Sequence, residues 1–274
     1  MASLVGAFAA SHGPLLVREW DTLPGDQKSR LIAAFEELGR RLAAVRPDVL
    51  IVVSPDHWSN FFLDNYPAVC IGVGATNEGP PEPWMKAFAH RDIAGDPGLA
   101  LHIVEQAMRA GFEPAVSHRL KLDHGACIPL WRMGLERLPR IVPMLVNSIE
   151  PPMPSLRRCY DWGVFLREAI ESYAEPLRVA ILGTGGLSHS IGEPTMGAIH
   201  EDFDRETIRL FGSAEKELIN YLERKLPTHG NGSEEVRNWL VAHGAAGSRG
   251  FELVDYLPVP KVLVGCGFAA WRTE

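Results

Sequence analysis

Apolar and polar positions divide the chain into two kinds of segment. Short solid apolar runs are the first kind: "LVGAFAA" (4–10), "DVLIVVS" (48–54), "AVCIGVGA" (68–75), "PRIVPMLVN" (139–147), "LRVAILGTGG" (177–186) and "KVLVGCGFAAW" (261–271). They predict strands. Because the runs are continuous rather than alternating, the strands should be buried on both faces, as in a parallel sheet. Pro143 predicts that 139–147 is short or irregular, since proline cannot donate to a ladder. Longer segments with helical periodicity are the second kind: 26–45, 97–111, 155–174, 200–226 and 233–246. Gly111 can cap the second of these, and Gly212 predicts a break in the fourth. Strands alternating with helices predict an α/β fold. The expected architecture is a single domain over 1–274, with a central mostly parallel or mixed sheet flanked by helices. No internal repeat or low-complexity tract interrupts it. The Pro-rich stretches "NEGPPEPW" (77–84) and "EPPMPS" (150–155) predict surface loops.

Composition narrows the class of function. With 274 residues and 46% hydrophobic content, the chain can bury a large core. A formal net charge of -7 gives no general attraction for nucleic acid or an anionic membrane. No apolar run approaches the ~20 residues that span a bilayer. The first residues, "MASLVGAFAASHGP", lack a basic n-region, so no signal peptide is expected. Cys70, Cys127, Cys159 and Cys266 are scattered and form no C-x-x-C pair. Neither a zinc cluster nor a disulfide framework is indicated, and a reducing cytoplasm is the expected compartment.

The chemistry lies in the histidines. Of the ten, His90, His102, His118, His200, His229 and His243 fall in helices or polar loops and read as ordinary surface or helix residues. Four others sit differently. His12 follows the strand at 4–10, His57 in "SPDHW" follows the strand at 48–54, and His189 in "GTGGLSHS" follows the run at 177–186. His124 in "KLDHGAC" falls in a loop after the apolar "PAV" at 114–116. A single histidine after a strand is usually a satisfied loop residue. Parallel strands, however, end at one edge of the sheet, and open α/β folds place their ligand sites at that carboxyl edge. Recurrence in the same topological slot favours a shared site. Neutral imidazole is the commonest metal ligand. Two histidines and a carboxylate with open positions favour non-haem Fe(II).

The helix at 233–246 offers the carboxylate. Setting Glu235 at 0° places Val236, Trp239, Leu240 and Ala242 at roughly 100°, 40°, 140° and 340°. Glu235 therefore stands at the rim of the apolar face, and Glu234 lies nearly opposite, beside Arg237 and Asn238. Dipole complementarity in a first turn, with Ser233 as N-cap, accounts for Glu234. It accounts less well for an inward Glu235, which a cation would stabilise. Asp56 either orients the neighbouring imidazole or closes a turn. Pro14 and Pro55 should stiffen the two histidine loops. "GTGG" lacks the Lys-Ser/Thr of a P-loop and does not match G-x-G-x-x-G. Its glycines are expected to turn the backbone sharply near the site.

Taken in order, "SHGP", "SPDHWSNFFLDNYPAVCIGVGA", "DHGACIPL", "GTGGLSHS" and "EEVRNWL" resemble the class III extradiol ring-cleaving dioxygenases. This is the superfamily of the protocatechuate 4,5-dioxygenase catalytic subunit and 2,3-dihydroxyphenylpropionate dioxygenase. The match covers nearly the whole chain, which is compact between Leu187 and Gly232, without the long insertion of some relatives. The resemblance implies that His12, His57 and Glu235 bind Fe(II). It implies that His189 is the active-site acid/base and that His124 contacts substrate or oxygen. The implied activity is extradiol cleavage of a catechol by dioxygen in aromatic catabolism. Expected partners are the catechol, dioxygen and further copies of the chain, with a small separate subunit left open. A carboxylated substrate would want a cation, but Arg119 and Lys121 near His124 read as solvated loop charges. The alternatives are a zinc hydrolase on the same scaffold, a non-catalytic binding protein, and a nucleotide binder using "GTGG".

Overall fold

The computed structural model describes residues 1–273. The chain opens with β1 (Ser3–Ala10), a single helical turn α1 (Leu15–Arg18), and the long helix α2 (Gly25–Ala44). Strands β2 (Val49–Ser54) and β3 (Val69–Gly72) follow, then the short pair β4 (Thr76–Gly79) and β5 (Arg91–Ala94). Next come α3 (Pro97–Arg109), β6 (Ala115–Ser117), α4 (His124–Arg132), β7 (Arg140–Val146), α5 (Leu156–Ser172) and β8 (Arg178–Thr184). Helices α6 (Glu201–Phe211), α7 (Glu215–Lys225) and α8 (Val236–Ala245) lead to β9 (Phe251–Val259) and β10 (Val264–Trp271).

Eight strands form one mixed sheet in the order β6-β3-β7-β2-β8-β1-β10-β9, and β4 and β5 make a separate two-stranded sheet. The centre, β7-β2-β8-β1, is parallel throughout. Antiparallel pairings flank it, β3 with β7 on one side and β1-β10-β9 on the other. The strands that carry His12, His57 and His189 at their ends are thus three neighbours in the parallel part. All six residues of β2 are buried, as its unbroken apolar run requires. One hydrophobic layer covers each face of the sheet: α3, α5 and α8 on one side, α2 and α4 on the other.

Several elements depart from the expectation. Strand β7 is regular despite Pro143. Its ladder to β3 stops at the Ile71–Met144 pair, beside the proline, while the ladder to β2 runs past it. The break near Gly212 is real and separates α6 from α7. The loop expected at His124 is instead the first turn of α4, a short helix that contains Pro129. Strand β9, half-buried at the sheet edge, has no solid apolar run to reveal it. The segment 231–235 is a 3₁₀ turn, so the α-helix starts one residue after Glu235. Ser233 does not cap it; its hydroxyl donates to the carbonyl of His229 at 2.5 Å.

Helix α8 is buried along its whole length, from Val236 to Ala245. It lies against α5 at backbone contact: a Cβ on Gly163 would come within 2.1 Å of the Val241 carbonyl, and one on Gly244 within 2.3 Å of the Tyr160 carbonyl. Trp239 and Asn238 tie it to the end of β8, donating to Gly185 O at 3.0 Å and Thr184 O at 2.8 Å. Each buried bond of this kind contributes about 1 kcal/mol net. The helix that follows Glu235 is therefore a rigid mount at the carboxyl edge of the sheet.

Candidate active site

His12 lies two residues beyond β1, His57 three beyond β2, and His189 five beyond β8. His124 is the first residue of α4, not a loop residue, with Asp123 as N-cap accepting from Gly125 N at 2.8 Å. The four imidazoles and Glu235 line one cavity of about 400 Å³, with Gly13, Pro14, Trp58, Ile149, Glu150, Gly186, Ile191, Asn231, Gly232 and Val264 as its other walls. Trp58 reaches this wall through a left-handed backbone (φ 59°), which costs a non-glycine residue about 1 kcal/mol.

At the floor, Nε2 of His12 is 3.4 Å and Nε2 of His57 3.3 Å from the same oxygen, Oε1 of Glu235. The other carboxylate oxygen accepts Gly186 N–H at 2.8 Å. These imidazole separations exceed the roughly 2.7–2.9 Å of a charge-assisted hydrogen bond. They match the spacing of donors around one ion: ligand atoms about 2.1 Å from a metal stand about 3.0–3.4 Å apart. His12, His57 and His124 also bring ring nitrogens within 4.8 Å of one another. A buried carboxylate with no Lys or Arg beside it is costly unless a cation joins it. The donor set therefore fits a divalent ion.

Electrostatics sort the group. Burial raises the carboxyl of Glu235, but the surrounding imidazoles outweigh it and hold the group well below the usual carboxylate range. Burial dominates at His12 and lowers it, although Glu235 pulls the other way. At His57 burial is overcome by Asp123 and Glu235, which raise the imidazole to about 10.

The supporting residues are only partly those expected. Asp56 does not touch the His57 ring. Its carboxylate accepts from Asn60 N at 3.1 Å, Asn60 Nδ2 at 2.6 Å and Phe61 N at 2.9 Å, closing the turn that follows. Asp123 supports His57 instead, accepting its main-chain N–H at 2.7 Å. Glu82 holds His124, accepting both the main-chain N–H at 2.8 Å and Nδ1 at 2.7 Å. The Pro-rich stretch read as a surface loop thus delivers a carboxylate to the site. Nδ1 of His189 donates to Leu187 O at 2.9 Å, so its Nε2 presents a lone pair to the cavity. That nitrogen lies 3.9 Å from Oε2 of Glu235.

Glycines make room for these groups. A Cβ on Gly232 would sit 2.1 Å from His189 Nε2, and one on Gly185 (φ +114°) 2.6 Å from Glu235 Oε2. The "GTGG" turn is filled by Glu235 and is no phosphate cradle. Glu234 points away and pairs with Arg237, as the helical wheel implied. Arg119 is exposed and pairs with Glu78 at 3.3 Å, and neither it nor the exposed Lys121 lines the cavity. Asp123 immediately precedes His124 and could have been found from a carboxylate at a helix start. Glu82 left no such signal.

The family profile described as the catalytic LigB subunit of aromatic ring-opening dioxygenase matches residues 6–265. Among curated proteins, the chain is similar to a 2,3-dihydroxyphenylpropionate/2,3-dihydroxicinnamic acid 1,2-dioxygenase of Cupriavidus necator, 27% identical over 284 residues, covering 85% of this chain and 87% of that one. The protein of the same name in Escherichia coli K12 is 27% identical over 305 residues, covering 91% and 92%. One from Klebsiella pneumoniae is 34% identical over 175 residues, covering 62% and 52%. Among solved structures, an uncharacterized protein of Escherichia coli K12 shares the fold, with a TM-score of 0.63 at 17% identity, covering 97% of this chain and 99% of that one.

Proposed function

Because the chain belongs to the family of the catalytic LigB subunit of aromatic ring-opening dioxygenases, we propose that it cleaves a catechol ring beside its diol using dioxygen, with His12, His57 and Glu235 holding Fe(II). The observation that carries the ligand assignment is the convergence of two imidazole Nε2 atoms on one buried carboxylate oxygen, at 3.4 and 3.3 Å. Two histidines and one carboxylate with open positions suit Fe(II) and oxygen chemistry. The relatives named above act on dihydroxyphenyl compounds, and a catechol is what such a site shares with theirs. Both hydrophobic layers pack on one sheet, so the whole chain, 1–274, is proposed as one catalytic domain. Its cysteines are all free and buried, which suits a reducing cytoplasm. Among the described residues no helix is long and apolar enough to cross a membrane. We further propose that copies of the chain assemble, which light scattering would read.

Bound iron supplies the redox centre through which a ring and dioxygen of different spin can react. The chain's own groups do the rest. His189 is the proposed acid/base: with Nδ1 donated to Leu187 O, Nε2 takes a proton from the catechol hydroxyl and returns one to the product. His124 is the proposed second contact. Glu82 fixes its proton on Nδ1, leaving Nε2 to accept from a substrate hydroxyl, or to donate once protonated. Ile149, Ile191, Val264 and Trp58 hold the ring and exclude water.

The test is anaerobic reconstitution with Fe(II), followed by oxygen uptake and appearance of the yellow ring-opened product across a catechol panel. Stoichiometric oxygen use is expected. Full iron loading without oxygen uptake on any catechol would sink the reading.

A further inference from the structure

The cavity has an unusual charge for a site that would bind carboxylated aromatics. Among the described residues lining it there is no lysine or arginine, and the only acidic side chains are Glu235 and Glu150. Glu235 is occupied by the imidazoles. Glu150 is not. Its main chain is fixed by Asn147, which accepts its N–H at 3.1 Å and donates to its carbonyl at 2.7 Å. Its side chain, half-buried beside Ile149, forms no ion pair or hydrogen bond among the described residues. Of the cations near the lining segments in sequence, Arg18 and Lys121 are exposed and do not line the cavity, and three others are held elsewhere. Arg237 binds Glu234 and donates to Pro154 O at 2.9 Å, Lys261 pairs with Glu19 at 3.3 Å, and Arg119 pairs with Glu78 at 3.3 Å.

We propose that Glu150 is a specificity-determining residue and that the pocket takes catechols whose ring substituent is neutral or positively charged, turning away those that bear a carboxylate. The catechol itself rests on the ring-cleavage reading above. A substituent carboxylate entering this cavity loses water, gains no cation and meets a like charge. An ammonium gains the Glu150 carboxylate, and the indole of Trp58, which also lines the cavity, favours a cation as well. A neutral ester or alkyl group meets Ile149, Ile191 and Val264 without penalty.

The test uses three matched compounds: a catechol carrying a propionate, its methyl ester, and the corresponding propylamine. Their affinities are measured anaerobically on the iron-loaded protein, and oxygen uptake is then followed on admitting air. Wild type should bind the ester and the amine about tenfold more tightly than the propionate, the size of one like-charge contact in a partly solvated site. Glu150→Gln should bring the ester-to-propionate ratio to within about twofold, and Glu150→Lys should reverse it. Ratios taken within each variant cancel any general loss, and the glutamine variant decides the matter if the lysine variant does not fold. Propionate binding as tightly as the ester in wild type would overturn the inference. So would a ratio unchanged by the substitutions, or no binding of any of the three. Normal binding order with no oxygen uptake would instead strike the ring-cleavage reading and leave the charge preference standing.

Discussion

Oδ2 of Asp123 accepts the main-chain N–H of His57 at 2.7 Å and stands 3.3 Å from Nδ1 of the same residue. The ring contact is too poorly aligned to count as a hydrogen bond, so its effect on the imidazole is mainly electrostatic. Against the effect of burial on both groups, it helps Glu235 to raise His57, and the imidazole in turn lowers Asp123. Asp123→Asn keeps a good N-cap for α4 but removes the charge. It should weaken metal affinity about 10–100-fold, the usual cost of losing a partner behind a ligand. Asp56→Asn, which only loosens the turn at Asn60 and Phe61, should lower the melting temperature while changing metal affinity less than about threefold. Metal titration of the two variants separates them, and equal affinities would show that Asp123 does not act through His57.

Gly232 stands against the face of the site that His189 uses. A methyl group there would lie 2.1 Å from Nε2 and 2.2 Å from Cδ2 of the ring, so the imidazole must move. Gly232→Ala should therefore cost about 10²–10⁴-fold in kcat, the range for losing a general acid/base. His189→Gln should fall in the same range. Metal content should stay near one per chain in both, since neither change touches His12 or His57. Loss of metal in Gly232→Ala would mean that the strain reaches Glu235 and that the variant does not report on His189.

Much of this site was legible in the sequence because topology is. Solid apolar runs predicted buried parallel strands, and parallel strands bring His12, His57 and His189 to one edge. Glu235 was singled out by a wheel drawn for a continuous amphipathic helix. The actual segment is a 3₁₀ turn before a helix buried on every side, whose polar residues Arg237, Asn238 and His243 are buried as well. Glu234 nonetheless turns aside to pair with the buried Arg237, and Glu235 lines the cavity. What stayed hidden depends on contacts far apart in the chain. Glu82 is 42 residues from His124, and Asp123 is 66 from His57. Neither periodicity nor spacing carries such pairs. Asp56, adjacent to His57, was the natural candidate for Asp123's place, and its neighbours Asn60 and Phe61 claim it instead.

Glu82 gives a graded test of His124. One oxygen of Glu82 accepts both donors of His124, and its other oxygen is buried without a partner. Glu82→Gln preserves shape but can donate as well as accept, so His124 no longer has one enforced tautomer. Activity should fall about tenfold, less than for His124→Ala, because one of the two amide orientations still accepts from Nδ1. Activity of Glu82→Gln equal to wild type would show that the tautomer of His124 is immaterial.

Proton accounting at the metal site gives a sharper test. In the metal-free protein near neutrality, His57 is raised to about 10 and carries a proton. His12 is lowered and is neutral, and Glu235 is ionised. A metal ion that takes all three must displace one proton, not two or none. Apparent affinity should therefore rise about tenfold per pH unit up to the value of His57 and flatten above it. Chelator competition at several pH values, done anaerobically, reads the slope directly. A slope of two would mean that His12 is also protonated, and a flat profile that His57 is already neutral. The same shift has a stability consequence of definite sign. His57 rises above its ordinary value of 6.5 on folding, so its contribution is fully present below that pH and is lost as pH climbs through about 10. Melting of the metal-free protein should move down across this window, while the increment added by saturating metal grows. The two trends must level off at the same pH, that of the folded-state imidazole, because the ion and the proton compete for the same ring.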